Sequence, residues 1–291
     1  MAAAGAAAVS LGVEEKILLA RASTGPRSAE PGDQVLPQGK IGKASISRLI
    51  CGGNLINGYA HSRDLAYVSD LMKHYFTDEK VIETLEICER NGIHTLVANN
   101  KAGENTVRIL NKYRKKGGKI QWLAQVNPVP ENIWENIRTA IDNGAVGAFI
   151  QGGIGDDWSR SHPELLAEAV AFIRQNGLIA GVAGHQIGVP EACEEAHVNV
   201  DFYFKTLNTA KYYCDEPEKT VGFMARIARP WIAYKVLGAG VVDPHDGFRY
   251  AFENGADFVC VGMFDFQVAD DARIASQLLQ GNLARKRPWA A

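Results

Sequence analysis

The chain has 291 residues, of which 46% are hydrophobic and 22% charged, and its formal net charge is −2. That length suits one large α/β domain or two smaller ones. No concentrated basic face is present and no apolar run is long enough to span a bilayer, so nucleic acid is not an expected partner and neither is a membrane span. The five cysteines, Cys51, Cys88, Cys193, Cys214 and Cys260, are odd in number and form no CxxC pair, which argues against a disulfide framework or a thiolate zinc site.

Residues 1–36 read apart from the fold. Met1 to Gly12 is almost all Ala, Gly, Val and Leu, and Leu18 to Ala22 contains an Ala-x-Ala-like site. This is the tail of an export signal without its basic start, or equally an Ala-rich extension. A periplasmic and a cytoplasmic location both stay open. Ser23 to Gln38, rich in Pro, Gly and Ser, reads as a linker.

From Leu36 to Ile50 the pattern is a short hairpin turning at Lys40 to Lys43, leading into a buried first strand that ends at Gly52, Gly53 and Asn54. The polar, aromatic loop Asn57 to Asp64 is long for a strand-to-helix connection, and such loops are often functional. Thr77 or Asp78 caps a helix with Val81, Ile82, Leu85 and Cys88 at helical spacing. Strands are expected at 94–98, 120–126, 146–151, 178–183, 200–206, 231–237 and 257–262. Helices are expected between them, at about 104–116, 130–142, 163–175, 190–196, 218–228, 244–253 and 269–279. The pair Asn-Gly ends a helix at 91–92, 143–144, 176–177 and 254–255. Eight strand–helix units in strict alternation predict a (β/α)8 TIM barrel with an N-terminal hairpin over 37–282 and a tail at 283–291. An open doubly wound sheet is the rival.

The C-terminal ends of barrel strands carry the chemistry of this fold. Here they bear Asn54, Asn99, Gln125, Gln151, Asn208 and Asp265 as candidate substrate-binding groups, with Lys101 and Asn127 nearby. Lys205, Lys235 and His185 are the candidate catalytic groups. Amides and lysines suit a polyhydroxylated or carbonyl small molecule better than a divalent metal, so no metal site is expected. A weak alternative pairs His185 with Asp265 or His61. Gly238, Gly240 and Gly262 stand at the phosphate-binding position of many barrels, or simply turn tight loops. Asp156-Asp157-Trp158 follows strand four in a loop from Gly152 to Ser161; an acidic residue there is an acid/base candidate, or both are solvated acids at a helix entry. Tyr59 and Trp158 suit sugar stacking or loop packing.

Three stretches carry a family resemblance. Gly39 to Gly42 through Ser47 to Asn54 resembles the opening of aldo/keto reductases. Asn91 to Leu96 resembles that family's approach to strand two, and Val261 to Met263 with Gln267-Val268 resembles its last strand and helix. The resemblance implies the barrel and a nicotinamide cofactor, NADP being the possible one. It also implies an Asp, Tyr, Lys and His tetrad, and that tetrad is missing. Val97 stands at the Asp position, about Ala102 at the Tyr, Gln125 at the Lys and Gln151 at the His. A shorter stretch, Asp201-Phe202 to Lys205-Thr206 with Lys235 to Gly240, resembles the lysine strands of deoxyribose-phosphate aldolases, with one extra residue before Lys205. It implies a Schiff-base lysine, and one ammonium beside another would lower a lysine pKa. The expected function is a reductase-like barrel acting on a carbonyl or sugar-like small molecule by lysine-assisted or acid/base chemistry. The alternatives are a nicotinamide-dependent reductase with another proton donor, and a non-catalytic binding barrel.

Overall fold

The structure is a computed structural model, and it describes residues 36–59, 65–101 and 105–291. Readings that fall on residues 1–35, on His61 and on Ala102 lie outside the described residues. Strands β1 (Gln38–Ile41) and β2 (Ala44–Ser47) pair antiparallel, with Ile41 opposite Ala44 across the turn. Gly42 makes that turn at φ +55. Eight parallel strands then close into a barrel: β3 (Leu49–Gly52), β4 (Thr95–Asn99), β5 (Gln121–Val126), β6 (Gly147–Ile150), β7 (Ile179–Gly184), β8 (Phe202–Thr206), β9 (Trp231–Tyr234) and β10 (Phe258–Gly262). The ring shuts where β10 pairs with β3, Val259 opposite Leu49. The closed barrel holds and the open sheet does not.

Alternation along each strand sorts the side chains into two layers. Ile50, Val97, Leu123, Phe149, Phe202 and Phe204 fill the barrel, and Ile41 and Ile46 of the hairpin join them. The hairpin lies at the N-terminal end, where a Cβ on Gly42 would stand 3.2 Å from the side chain of Ile179, the first residue of β7. The outer layer, including Trp122, Tyr203 and Trp231, packs the strands on the helices.

The helices are α1 (Tyr67–Tyr75), α2 (Asp78–Arg90), α3 (Thr106–Lys115), α4 (Trp134–Asp142), α5 (Gly152–Ser161), α6 (Pro163–Gln175), α7 (Gly188–Glu195), α8 (Pro217–Met224), α9 (Pro244–Glu253) and α10 (Asp265–Gln280). Thr77 caps α2, its side chain accepting from the N–H of Lys80. The Asn-Gly stops work in two parts. The Asn amide donates to a carbonyl of the last turn, as Asn91 does to Ile87 at 2.8 Å, Asn143 to Thr139 and Asn254 to Tyr250. Gly92, Gly144, Gly177 and Gly255 then take positive φ and release the chain toward the next strand.

Two expectations change. The stretch Gly152 to Ser161 is the helix α5 and not a loop, because the Gln151 side chain caps the N–H of Ile154 and Trp158 buries to 3% exposure. The connection after β3 contains α1, which buries only Met72 and so left little apolar period in the sequence. At the other end of the chain, Arg285 and Arg287 both pair with the buried carboxylate of Asp257. The guanidinium groups of Arg48 and Arg285 lie over the Trp289 ring, 4.1 and 3.4 Å from its centre. Among the described residues no helix is long and apolar enough to cross a membrane.

Candidate active site

A pocket of about 310 Å³ opens at the C-terminal end of the barrel. Its floor is Phe204 and Ala183; its walls include the amides of Asn54, Asn99, Gln125, Asn127 and Gln151. Asn99 and Asn127 are tied into a hydrogen-bonded network. Asn127 donates to the Asn99 side chain at 2.6 Å, its own N–H donates to the Asn136 side chain at 2.7 Å, and Asn136 exchanges hydrogen bonds with Asn100. Side chains anchored in this way keep fixed donor and acceptor directions, which is what recognition of ligand hydroxyls requires.

His185 follows β7 and enters the pocket wall. It is gripped by Asp156 of α5. One carboxylate oxygen accepts the backbone N–H groups of His185 and Gln186, each at 2.9 Å. The other lies 2.7 Å from His185 Nδ1. A carboxylate only accepts, so Nδ1 carries a proton, and in the neutral ring Nε2 keeps its lone pair. Asp156 is therefore not a solvated acid. The sequence paired neither residue with the other because 29 positions separate them. Helix α5 brings them together, with Gly155 packed tightly on β7: a Cβ there would lie 2.0 Å from the Ala183 carbonyl oxygen.

Lys235 also lines the pocket. It stands just past β9 at φ +56, a left-handed conformation that costs a non-glycine residue on the order of 1 kcal/mol. Its Nζ lies 4.7 Å from the Tyr213 ring centre, 5.3 Å from that of Tyr212 and 5.9 Å from that of Tyr234. Burial pushes its pKa down to about 8. The His185 ring rests on Tyr213 and Tyr234, with centroids 4.9 and 5.6 Å away. These two tyrosines were not singled out in the sequence. Tyr234 sits one residue before Lys235 in a strand read as buried, and Tyr213 lies in a loop without a motif.

Lys205 is placed otherwise. Phe202 and Phe204 take the inward positions of β8, so Lys205 turns into the layer between strands and helices, where it is 1% exposed. Its ammonium donates to the carbonyl of His185 at 2.7 Å and to the Thr206 hydroxyl at 3.0 Å. Desolvation lowers its pKa to about 8, partly offset by Cys214 and Asp156. The two lysines therefore do not share one pocket, and the aldolase-like pairing is not formed. Lys205 holds the His185 carbonyl, while Asp156 takes the His185 N–H.

The remaining candidates divide the same way. Asn54, Asn99, Gln125 and Gln151 line the pocket. Asn208 does not; its side chain bonds both the N–H and the carbonyl of Tyr212 and so shapes the loop that carries Tyr212 and Tyr213. Asp265 begins α10, where it accepts from the Tyr75 hydroxyl at 2.5 Å and from Lys80 Nζ at 3.1 Å. The N–H groups of Gly238 and Gly240 donate inside their own turn, to Lys235 and Leu237 at 2.9 Å, so they offer no phosphate cradle. Gly262 ends β10 in an exposed position. Among the described residues no group of three or more His, Cys, Asp or Glu is placed to hold a metal ion.

In fold the chain is similar to the aldo-keto reductases. A Pseudomonas aeruginosa protein provisionally described as an aldo-keto reductase superposes with a TM-score of 0.63 at 16% identity, over 87% of this chain and 100% of that one. The glycerol dehydrogenase of Gluconobacter oxydans gives 0.59 at 12% identity, over 84% and 91%. A truncated 3-deoxy-D-arabino-heptulosonate 7-phosphate synthase from Thermotoga maritima gives 0.52 at 14%, over 87% and 92%. No protein-family model matches the chain, and no curated protein matches its sequence.

At three of the four tetrad positions implied by the reductase resemblance the structure places residues that cannot serve as that Asp, Lys and His. Val97 faces the barrel interior among aliphatic and aromatic side chains, and Gln125 and Gln151 are neutral. The N–H groups of Gly238 and Gly240 are used within their turn.

Proposed function

We propose that this chain is a barrel enzyme that moves protons on a small, polyhydroxylated carbonyl compound, without hydride transfer. The observation that carries the reading is the Asp156–His185 pair opening on the same pocket as Lys235. His185 Nε2 takes a proton from the carbon beside the carbonyl. The C–H electrons form the enolate, and its oxygen develops negative charge toward the Lys235 ammonium. Returning the proton to the same carbon gives epimerisation. Returning it to the former carbonyl carbon, while the adjacent hydroxyl's proton passes to the enolate oxygen, gives isomerisation; a β-hydroxyl that leaves as water, taking the proton held by His185, gives elimination. The fixed amides orient the hydroxyl groups, and the volume suits a molecule of about monosaccharide size.

The test is deuterium incorporation from D2O into a panel of aldoses, ketoses and keto acids, followed by proton NMR. We expect exchange next to the carbonyl with the wild type and none above background with His185→Ala. Exchange that survives H185A would remove His185 from the chemistry. A reductase with another proton donor has the fold in its favour, and saturable quenching of tryptophan fluorescence by NADPH is the result that would favour it. Binding of a panel compound with no chemical change would favour a binding barrel.

A further inference from the structure

Tyr234 lines the pocket, and its hydroxyl is buried and, among the described residues, has no hydrogen-bond partner. Leaving a buried hydroxyl unpaired is destabilising, because its lost hydration is not replaced. A phenylalanine would fill the same volume without that cost. The ring is fixed, with Phe204 4.7 Å and His185 5.6 Å away between centroids. The hydroxyl is admitted by a missing side chain: a Cβ on Gly152 would lie 2.7 Å from it and 2.9 Å from His185 Cε1. Thus a donor without an acceptor stands beside the acid/base histidine and near the Lys235 ammonium, 5.9 Å from the Tyr234 ring centre.

From these contacts we propose that Tyr234 is a catalytic residue, the hydrogen-bond donor to the substrate's carbonyl oxygen as that oxygen becomes an enolate. The proposal rests on the proton-transfer reading of this pocket and names the part of the substrate that binds here: an sp2 oxygen that accepts and cannot itself donate. Burial raises the Tyr234 pKa well above its usual value. The phenol therefore keeps its proton and stabilises the oxyanion by hydrogen bonding; His185 alone carries the transferred proton, and no proton leaves Tyr234. A hydroxyl in place of the carbonyl has a proton to place and gains less from the same donor.

The experiment is Tyr234→Phe in the full chain, with two measurements. The first is thermal unfolding. Removing an unpaired hydroxyl should leave the midpoint unchanged or raise it, whereas a lowered midpoint would show that the hydroxyl has a structural partner and would overturn the proposal whatever the chemistry. The second compares a keto compound of the panel with its reduced alcohol. Y234F should slow deuterium exchange about 10²- to 10³-fold, the loss typical of one oxyanion donor. It should also lose the wild type's tighter binding of the ketone, read as thermal shift, and keep its binding of the alcohol. Unchanged exchange, or an unchanged ketone preference, would overturn it. If the wild type exchanges no compound, the proton-transfer reading fails by itself, and the ketone-over-alcohol preference still decides the role of the Tyr234 hydroxyl.

Discussion

Asp156→Asn is the sharpest perturbation of the site, because it changes one atom's hydrogen-bonding sense with almost no change in shape. One Asp156 oxygen takes two backbone N–H groups at 2.9 Å, and the amide oxygen of Asn can keep both. The amide nitrogen then replaces the oxygen that lies 2.7 Å from His185 Nδ1. It is a donor, so Nδ1 must accept and the ring proton moves to Nε2, the atom that has to act as base. Stability falls by about 2 kcal/mol, the worth of one charge-assisted hydrogen bond. The exchange rate falls about 10²- to 10⁴-fold, the usual range for general base catalysis, or about 3–5 kcal/mol of barrier. The assay pairs deuterium exchange with ¹⁵N NMR of the imidazole, which reports the tautomer directly. A D156N protein that keeps a wild-type exchange rate, or whose His185 still carries its proton on Nδ1, would refute the role given to this pair.

Other consequences follow from the same geometry. Gly152→Ala should cut exchange at least tenfold with the fold intact by circular dichroism, since its Cβ would meet both Tyr234 and His185. Lys235→Gly should unfold about 1 kcal/mol later than Lys235→Ala, because only glycine relaxes at φ +56, and both should be inactive in exchange. The Lys235 pKa of about 8 lies below the usual lysine value, so the folded state carries the cost of burying this charge at pH 7 and sheds it on deprotonation. Its contribution to stability therefore increases from about pH 8 up to the unfolded pKa, while exchange activity declines above about pH 8; urea titrations and rate profiles of wild type and Lys235→Met check both. Borohydride reduction with a carbonyl substrate should leave Lys205 unlabelled, since its ammonium is enclosed on His185 and Thr206; a label on Lys205 would contradict its placement.

The barrel was legible because its signals are local. Helix stops such as Asn91-Gly92 and Asn254-Gly255 need only the Asn amide and a glycine at positive φ, and strand alternation needs only neighbours. The amide wall was legible too, since Asn99, Gln125 and Gln151 follow directly from where the strands end. What the sequence hid depends on direction. Lys205 carries the same strand-end signal as Lys235, yet one step of alternation puts Phe204 in the pocket and Lys205 behind it. Asp156 looked solvated because two glycines and two acids in a row disguise a helix that Gln151 and Trp158 stabilise. Tyr234 is marked only by what its hydroxyl lacks, and that is a property of the folded chain.

The most direct measurement is the rate of deuterium incorporation beside the carbonyl of the fastest-exchanging panel compound, taken with wild type and with H185A under the same conditions. We expect the wild type to exchange and H185A to fall to the uncatalysed rate while it still binds the compound. Equal rates in the two proteins would contradict proton transfer by His185.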